Sequence, residues 1–386
     1  MPEKHYLVTP GPTPVPPEVL RAVSAPMIHH RGPEFRAILA RVLERLNQVF
    51  RTENDILLYT AAGTGALDGA VANLCSPGDR VLVVSHGYFG ERWAAIARAY
   101  GCDLVHLRYP WGEAPNADEV GEKLAEMGGA KVVFLTHSET STGVVADVRA
   151  IAERLEGSGA LVAVDAISSL AAVPLETDAW GLDVVVTSSH KALMTPAGLA
   201  LTSVSPAALE AAGRSLSPRF YFDWERTRRA QATAPPENPF SPAISLVLGL
   251  DVALELLLAE GLEAAHERHV RLGRACRAGA KAMGLELFSP DEDRAAVVTA
   301  VRTPREVDSS AIVLSMRERS GVTVVGGQSE LKGKIVRIGH IGYIDVFDVT
   351  TALAALEVAL VEAGAEVERA VAVTAALDAY AEPVPA

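Results

Sequence analysis

Cysteine is scarce in this sequence: three in 386 residues, Cys75, Cys102 and Cys276. Their number is odd, their spacings are long, and neither a CxxC pair nor a histidine at ligand spacing accompanies them. A disulfide framework and a metal site are therefore not expected, and a reducing, cytoplasmic setting is. Basic residues are also in deficit, 35 Lys and Arg against 48 Asp and Glu, for a net charge of -13. No basic stripe is available to neutralise a phosphate backbone, which argues against nucleic acid as a partner.

Long uninterrupted apolar runs are missing, so no membrane association is expected. The most apolar stretch, PAISLVLGLDVALELLLAEG, contains Asp251 and Glu255, four residues apart on one helical face. Val247, Leu250, Leu254, Leu257 and Leu258 can face a core. The stretch predicts a soluble helix starting at Ser241 with Pro242 in its first turn, not a span. The N-terminus, MPEKHYLVTPGPTPVPPEVL, has too many prolines and too little continuous apolar sequence for a signal peptide.

What is present is 49% hydrophobic residues, enough for a large core and for two domains. Short aliphatic runs at 55–60, 79–85, 130–136, 160–166, 182–189 and 198–204 are mostly separated by stretches of helical period. That alternation predicts an α/β fold with a mainly parallel central sheet covered on both faces. The last two runs are too close for a crossover helix, so one of them is expected to be antiparallel. After about residue 260 the pattern becomes α+β, with a long helix over 263–283, strands near 294–303, 322–327 and 333–343, and helices near 309–320 and 345–363. The expected organisation is an N-terminal arm (1–20), a large α/β domain (21–260) and a smaller C-terminal α+β domain (261–386). The final AEPVPA is expected to fray.

Polar clusters follow the strands, where open α/β sheets bind ligands. TAAGTGALDGA after the first run puts the N–H groups of Gly63, Thr64 and Gly65 at a helix start, suited to a phosphate or simply to a tight turn. Asp165 ends the aliphatic run LVAVD, where a buried carboxylate needs a partner unless it only caps the next helix. Lys191 stands in the knot TSSHKALMTPAG between two apolar runs; read alone, it could be a surface lysine. An amine, an acid and a phosphate turn on neighbouring strands match the needs of pyridoxal 5'-phosphate (PLP). Its ring also wants an aromatic face, for which Tyr88 and Phe89 in GYFGERW are candidates.

With these segments in order, the sequence resembles the class V aminotransferases of PLP fold type I, especially the alanine–glyoxylate, serine–glyoxylate and serine–pyruvate group. The segments that carry the resemblance include TPGPTPVPPEVL, HHRGPEFR, ENDILLYTAAGTGAL, THSETSTGV, VDAISSLAAVPLETDAWGLDVVVTSSHKALMTPAGLAL, PRFYFD and GGQSELKGKIVRIGHIGY. The resemblance implies that Lys191 is the Schiff-base lysine and proton shuttle, and that Asp165 pairs with the pyridine nitrogen. It implies that Thr140 reaches the phenolic oxygen, that Phe89 rather than Tyr88 stacks on the ring, and that Gly63 and Thr64 cup the phosphate. Arg337 would hold the substrate carboxylate by a bidentate fork, and Gly11 with the His29–Arg31 turn would shape a small pocket.

Two departures are visible. His190 precedes the lysine where these relatives usually have glutamine; the SxHK form is more like cysteine desulfurases, in which Ser188 and His190 would both contact phosphate. In PPENPFSPAIS, which the family uses to complete the neighbouring subunit's phosphate site, Glu237, Asn238 and Ser241 are not obvious replacements. The resemblance implies a homodimer that transfers an amino group from alanine or serine to a 2-oxo acid, glyoxylate or pyruvate, by a ping-pong mechanism. A cysteine desulfurase, a PLP-dependent lyase and an inactive scaffold homologue are the alternatives. The first needs a nucleophilic cysteine late in the chain, and Cys276 falls in a helical pattern with no cysteine after it.

Overall fold

The computed structural model describes residues 4–384. The chain opens with strand β1 (Tyr6–Leu7) and helices α1 (Pro17–Val23) and α2 (Pro33–Phe50). Strands and helices then alternate through β2 (Asp55–Thr60), α3 (Gly63–Leu74), β3 (Arg80–Ser85), α4 (Tyr88–Ala99), β4 (Asp103–Arg108), α5 (Ala117–Glu126) and β5 (Val132–Thr136). A short hairpin, β6 (Ser138–Glu139) and β7 (Val144–Val145), precedes α6 (Val148–Leu155), β8 (Leu161–Asp165), β9 (Val184–Ser188) and β10 (Leu199–Val204). Helices α7 (Pro206–Arg214), α8 (Trp224–Gln231), α9 (Ile244–Glu260) and α10 (Leu262–Ala282) follow. The remainder is β11 (Val298–Arg302), α11 (Ser309–Ser320), β12 (Val322–Thr323), β13 (Val325–Gly326), β14 (Ile335–Gly339), α12 (Val346–Glu362) and α13 (Ala372–Ala381).

Seven strands form the main sheet in the order β2-β10-β9-β8-β5-β3-β4. All neighbouring pairs are parallel except those of β10, which is antiparallel to both β9 and β2. The connection 189–198 is too short for a crossover, so the chain turns back there. Side chains alternate between two cores. Leu57, Val81, Val83, Val132 and Phe134 pack with Leu67 and Val71 of α3 and Trp93 of α4. Leu58, Leu82, Val84, Val133 and Leu135 pack with Phe35, Leu39 and Val42 of α2 and Ile151 of α6. Burial on both faces is why these strands appear in the sequence as unbroken aliphatic runs.

Edge strand β4 was not among the expected strands: its middle residues, His106 among them, are only half-buried, so its sequence carries no apolar run. The helix expected from Ser241 begins instead at Ile244. The Ala243 N–H donates to Thr60 Oγ1 (2.8 Å) and the Ile244 N–H to the Pro242 carbonyl (2.9 Å), so backbone groups of 242–243 are used outside the helix. Within α9, Asp251 is buried and lies 2.6 Å from both Arg41 and Arg45 of α2. Val247, Leu250, Leu254 and Leu257 are buried as expected, and Leu258 is half-buried.

The C-terminal part has its own antiparallel sheet, β11-β14-β13. Ile312, Val336, Ile338, Val349, Leu353 and Leu356 form its core with Leu272 of α10. Helix α13, absent from the sequence expectations, lays Ala372 and Ala376 into that core. Of the AEPVPA tail, Ala381 ends α13, and residues 385–386, like residues 1–3 of the arm, lie outside the described residues. The arm is tied to this C-terminal part: β1 pairs in parallel with β12, and the Gly339 N–H donates to the Val8 carbonyl (3.0 Å). Among the described residues no helix is long and apolar enough to cross a membrane.

Candidate active site

The C-terminal ends of β5, β8 and β9 lie side by side, with Thr136 paired to Asp165 and Asp165 to Val186. A cavity of about 230 Å³ opens at this edge, lined by Gly11, Gly63, Thr64, Phe89, Asp165, His190 and Lys191 together with Ala62, Arg92, Ser138, Ile167 and Ser168. Thr140, Ser188 and Arg337 are not part of its lining, nor is the His29–Arg31 turn. Two larger clefts, about 650 Å³ beside Arg302 and Lys334 and about 560 Å³ beside Met194 and Tyr343, lie away from these strand ends.

Lys191 is buried, and its Nζ donates to the Pro10 carbonyl (2.6 Å). Burial lowers its pKa to about 8; Asp165 opposes the shift, whereas Arg337 and Arg92 add to it. The Thr13 hydroxyl and the Gly342 turn pack on its carbonyl side. Gly11, at φ +139°, passes so close that a Cβ there would overlap the lysine side chain.

Asp165 is buried too, and one carboxylate oxygen accepts from the Ile167 N–H (2.9 Å). Its pKa rises to about 7, chiefly through burial; the Ile167 N–H, Arg92 and Lys191 favour the anion, and Glu139 disfavours it. On the opposite wall α3 starts at Gly63 with Ala62, which has no capping side chain, before it. The first N–H groups of α3 therefore have no intrahelical acceptor, the arrangement that favours anions. His190 Nδ1 is 2.9 Å from Ser188 Oγ, and burial holds its pKa at about 4, so the ring is neutral at pH 7. The contact joins one tautomer to one direction: the serine hydroxyl donates when the imidazole proton is on Nε2, and accepts when it is on Nδ1.

Arg337 sits in the middle of β14, 5% exposed, with Nε donating to the Gly326 carbonyl (2.9 Å) and Nη1 to the Thr140 carbonyl (2.8 Å). Both acceptors are neutral, and among the described residues Nη2 makes no hydrogen bond. Burial lowers the Arg337 pKa to about 10, with Glu139 opposing. Thr140 meets Arg337 through its backbone carbonyl, not through the hydroxyl that the sequence pointed to.

Sequence reasoning passed over two wall residues. Arg92 lies three positions after Phe89 on α4, its Nη1 donating to Thr64 Oγ1 (2.9 Å) and its guanidinium 4.8 Å from the Phe89 ring centroid. That i, i+3 spacing was a usable signal. Ser138 is buried, with its Oγ lacking a partner among the described residues. Nothing in its local sequence separates it from an ordinary strand-end serine.

Comparison with known proteins agrees with this geometry. The family Aminotransferase class-V matches residues 5–343. The chain is 42% identical to the protein named soluble hydrogenase, small subunit, of Synechococcus sp., over 94% of this chain and 95% of that one. It is 34% identical to the serine–glyoxylate aminotransferase of Methylorubrum extorquens, over 97% and 96% of the two chains. The ureidoglycine-glyoxylate aminotransferase structure from Bacillus subtilis superposes with a TM-score of 0.94 at 30% identity, covering 99% of each chain. The chain belongs to the class V aminotransferases, with the α/β fold of fold type I.

Proposed function

We propose that this protein binds PLP and moves the amino group of a small amino acid, alanine or serine, to glyoxylate or pyruvate in two ping-pong half-reactions. The observation that carries the reading is the convergence of Lys191, Asp165 and the uncapped start of α3 on one cavity of about 230 Å³, with the Arg337 charge close enough to act on Lys191. The residues fit the cofactor. Gly63, Thr64 and His190 would supply donors for its phosphate, Asp165 would pair with its ring nitrogen, and Phe89 would offer an aromatic face. The orphaned Ser138 hydroxyl is a further polar group at this wall.

Bound PLP supplies a carbonyl that condenses with amines and a ring that delocalises the electron pair left at the substrate α-carbon. The chain does the rest. With a pKa near 8, Lys191 has a substantial neutral fraction near pH 7.5; donating one N–H to Pro10, it keeps its lone pair to take the α-proton and return it one position away. Asp165 would hold a proton on the ring nitrogen by its negative charge, and that positive partner would offset the burial that disfavours the anion. Arg337 holds the substrate carboxylate, its hydrogen bonds among the described residues going to neutral carbonyls, which leaves Nη2 available.

Glyoxylate is common to the names of the serine–glyoxylate and ureidoglycine-glyoxylate relatives, which supports it as acceptor. A homodimer is supported by exposed Leu216 and Phe220 beside the stacked pair Tyr221 and Phe240. Three free cysteines suit a cytoplasmic setting. Cys276, deep in α10 with its thiol pushed up to about 12 by burial, makes a poor desulfurase nucleophile.

The test is the ultraviolet-visible spectrum of the purified protein before and after L-serine or L-alanine, with no oxo acid present. A band from lysine-bound cofactor that gives way to the shorter-wavelength amine form is expected. Absence of any band after incubation with PLP overturns the reading.

A further inference from the structure

Glu139 is fully buried and lies outside the cavity lining. Its Oε2 accepts from the N–H groups of Phe89 (2.9 Å) and Gly90 (3.0 Å). Oε1 accepts from the N–H (3.1 Å) and hydroxyl (2.6 Å) of Ser141. The Ser141 Oγ in turn accepts from the Tyr88 N–H (3.0 Å). The opening N–H groups of α4, which its own N-cap Gly87 leaves uncapped, are thereby satisfied from the hairpin turn. Gly87 has no side chain because a Cβ there would overlap that of Glu139. Between the two capping residues, the Thr140 carbonyl accepts from Arg337.

We propose that Glu139 is a positioning residue for amino-group transfer: its carboxylate fixes the backbone from which Phe89 enters the cavity, and its turn fixes Arg337. The inference rests on the functional reading above. The bond broken at the α-carbon must stand across the plane of the conjugated ring for its electrons to be delocalised. That orientation depends on where the ring is stacked and where the carboxylate is held, which Phe89 determines from the first turn of α4 and Arg337 from β14. Residues 139–141 are the point where the two meet. Four donors face two carboxylate oxygens, so a glutamine in place of Glu139 necessarily turns an N–H₂ group towards either the α4 amides or Ser141.

The experiment is Glu139→Gln, with Phe89→Ala and the double variant, each checked for folding by circular dichroism. Read out are PLP affinity, by absorbance titration of the apo-protein, and the single-turnover half-reaction with L-serine. Glu139→Gln is expected to weaken PLP about tenfold and to slow the half-reaction on the order of 10²-fold, with a raised apparent Kd for serine. In the Phe89→Ala background its effect on PLP affinity is expected to shrink to less than about twofold, because it acts through that ring. A folded Glu139→Gln with wild-type values, or losses that simply add to those of Phe89→Ala, overturns the inference. If Glu139→Gln does not fold, Ser141→Ala is expected to change both quantities in the same direction by roughly threefold; a lowered melting temperature with unchanged kinetics overturns the proposal. A wild-type protein that shows no cofactor band fails the functional reading itself, a result separable from a wild type with the band and a variant that matches it.

Discussion

Asp165 and Lys191 stand at adjoining ends of β8 and β9 in one parallel sheet, whereas Arg337 projects from the middle of β14 in a separate antiparallel sheet. Asp165 is placed by the ladder of backbone hydrogen bonds, and Lys191 by the turn that follows β9, closed by the Met194 N–H on the Lys191 carbonyl and the Thr195 N–H on the Ser189 carbonyl (3.0 Å each). Arg337 reaches them only across the packing of the two parts, through the Thr140 carbonyl. Proton-handling groups therefore sit on the rigid frame, and the carboxylate-binding group sits on the part whose position depends on side-chain packing. Substitutions on the two sides should damage different kinetic constants.

Lys191→Ala is the largest test. It is expected to abolish the covalently held chromophore and to lower turnover by at least about 10²–10⁴-fold, measured by absorbance and steady-state assay. Retained absorbance would show that the frame does not carry the reacting amine. On the other side, Arg337→Lys should raise KM for amino and oxo acid roughly 10–100-fold while moving kcat only about threefold, since the fork is lost and the charge kept. If kcat falls and KM holds, the division between chemistry and recognition is wrong.

Gly11→Ala probes the seam, where the arm meets the lysine. A side chain at φ +139° overlapping Lys191 should cost about 1–3 kcal/mol in stability and lower kcat more than KM, read by thermal melting and kinetics.

The smallest effect is a slope. Native Asp165 keeps its proton up to about pH 7, while the unfolded chain releases it near 3.8. Between those values the native state binds more protons, so apo-protein stability should fall as pH rises. Lys191 has the opposite sign: native release near 8 against 10.5 unfolded makes stability rise across that window. Melting of apo Asp165→Asn should lose the first slope and keep the second.

The sheet was legible because each doubly covered strand is an aliphatic run that ends on a polar residue, which also exposed Asp165 and Lys191 to view. The half-buried edge strand β4 has no such run, and the alanine-rich α13 has too little contrast between its faces. At the site, Glu139 was legible only as the one acid among the small polar residues of THSETSTGV. Its partners are backbone amides fifty positions earlier, and backbone amides carry no sequence signal. The same holds for the Arg337 contact with Thr140, which depends on how two sheets pack.

The pairing of β1 with β12, Tyr6 opposite Val322, has a consequence for synthesis. Pro10, whose carbonyl accepts the Lys191 hydrogen bond, is made well before the lysine, and the strand that anchors its segment is made well after it. Once Lys191 is made, the segment that carries its acceptor stays unanchored until β12 follows. Long non-local pairings of this kind close late. A chain truncated between residues 191 and 322 therefore carries the lysine without the strand that anchors its acceptor, and is expected to be inactive.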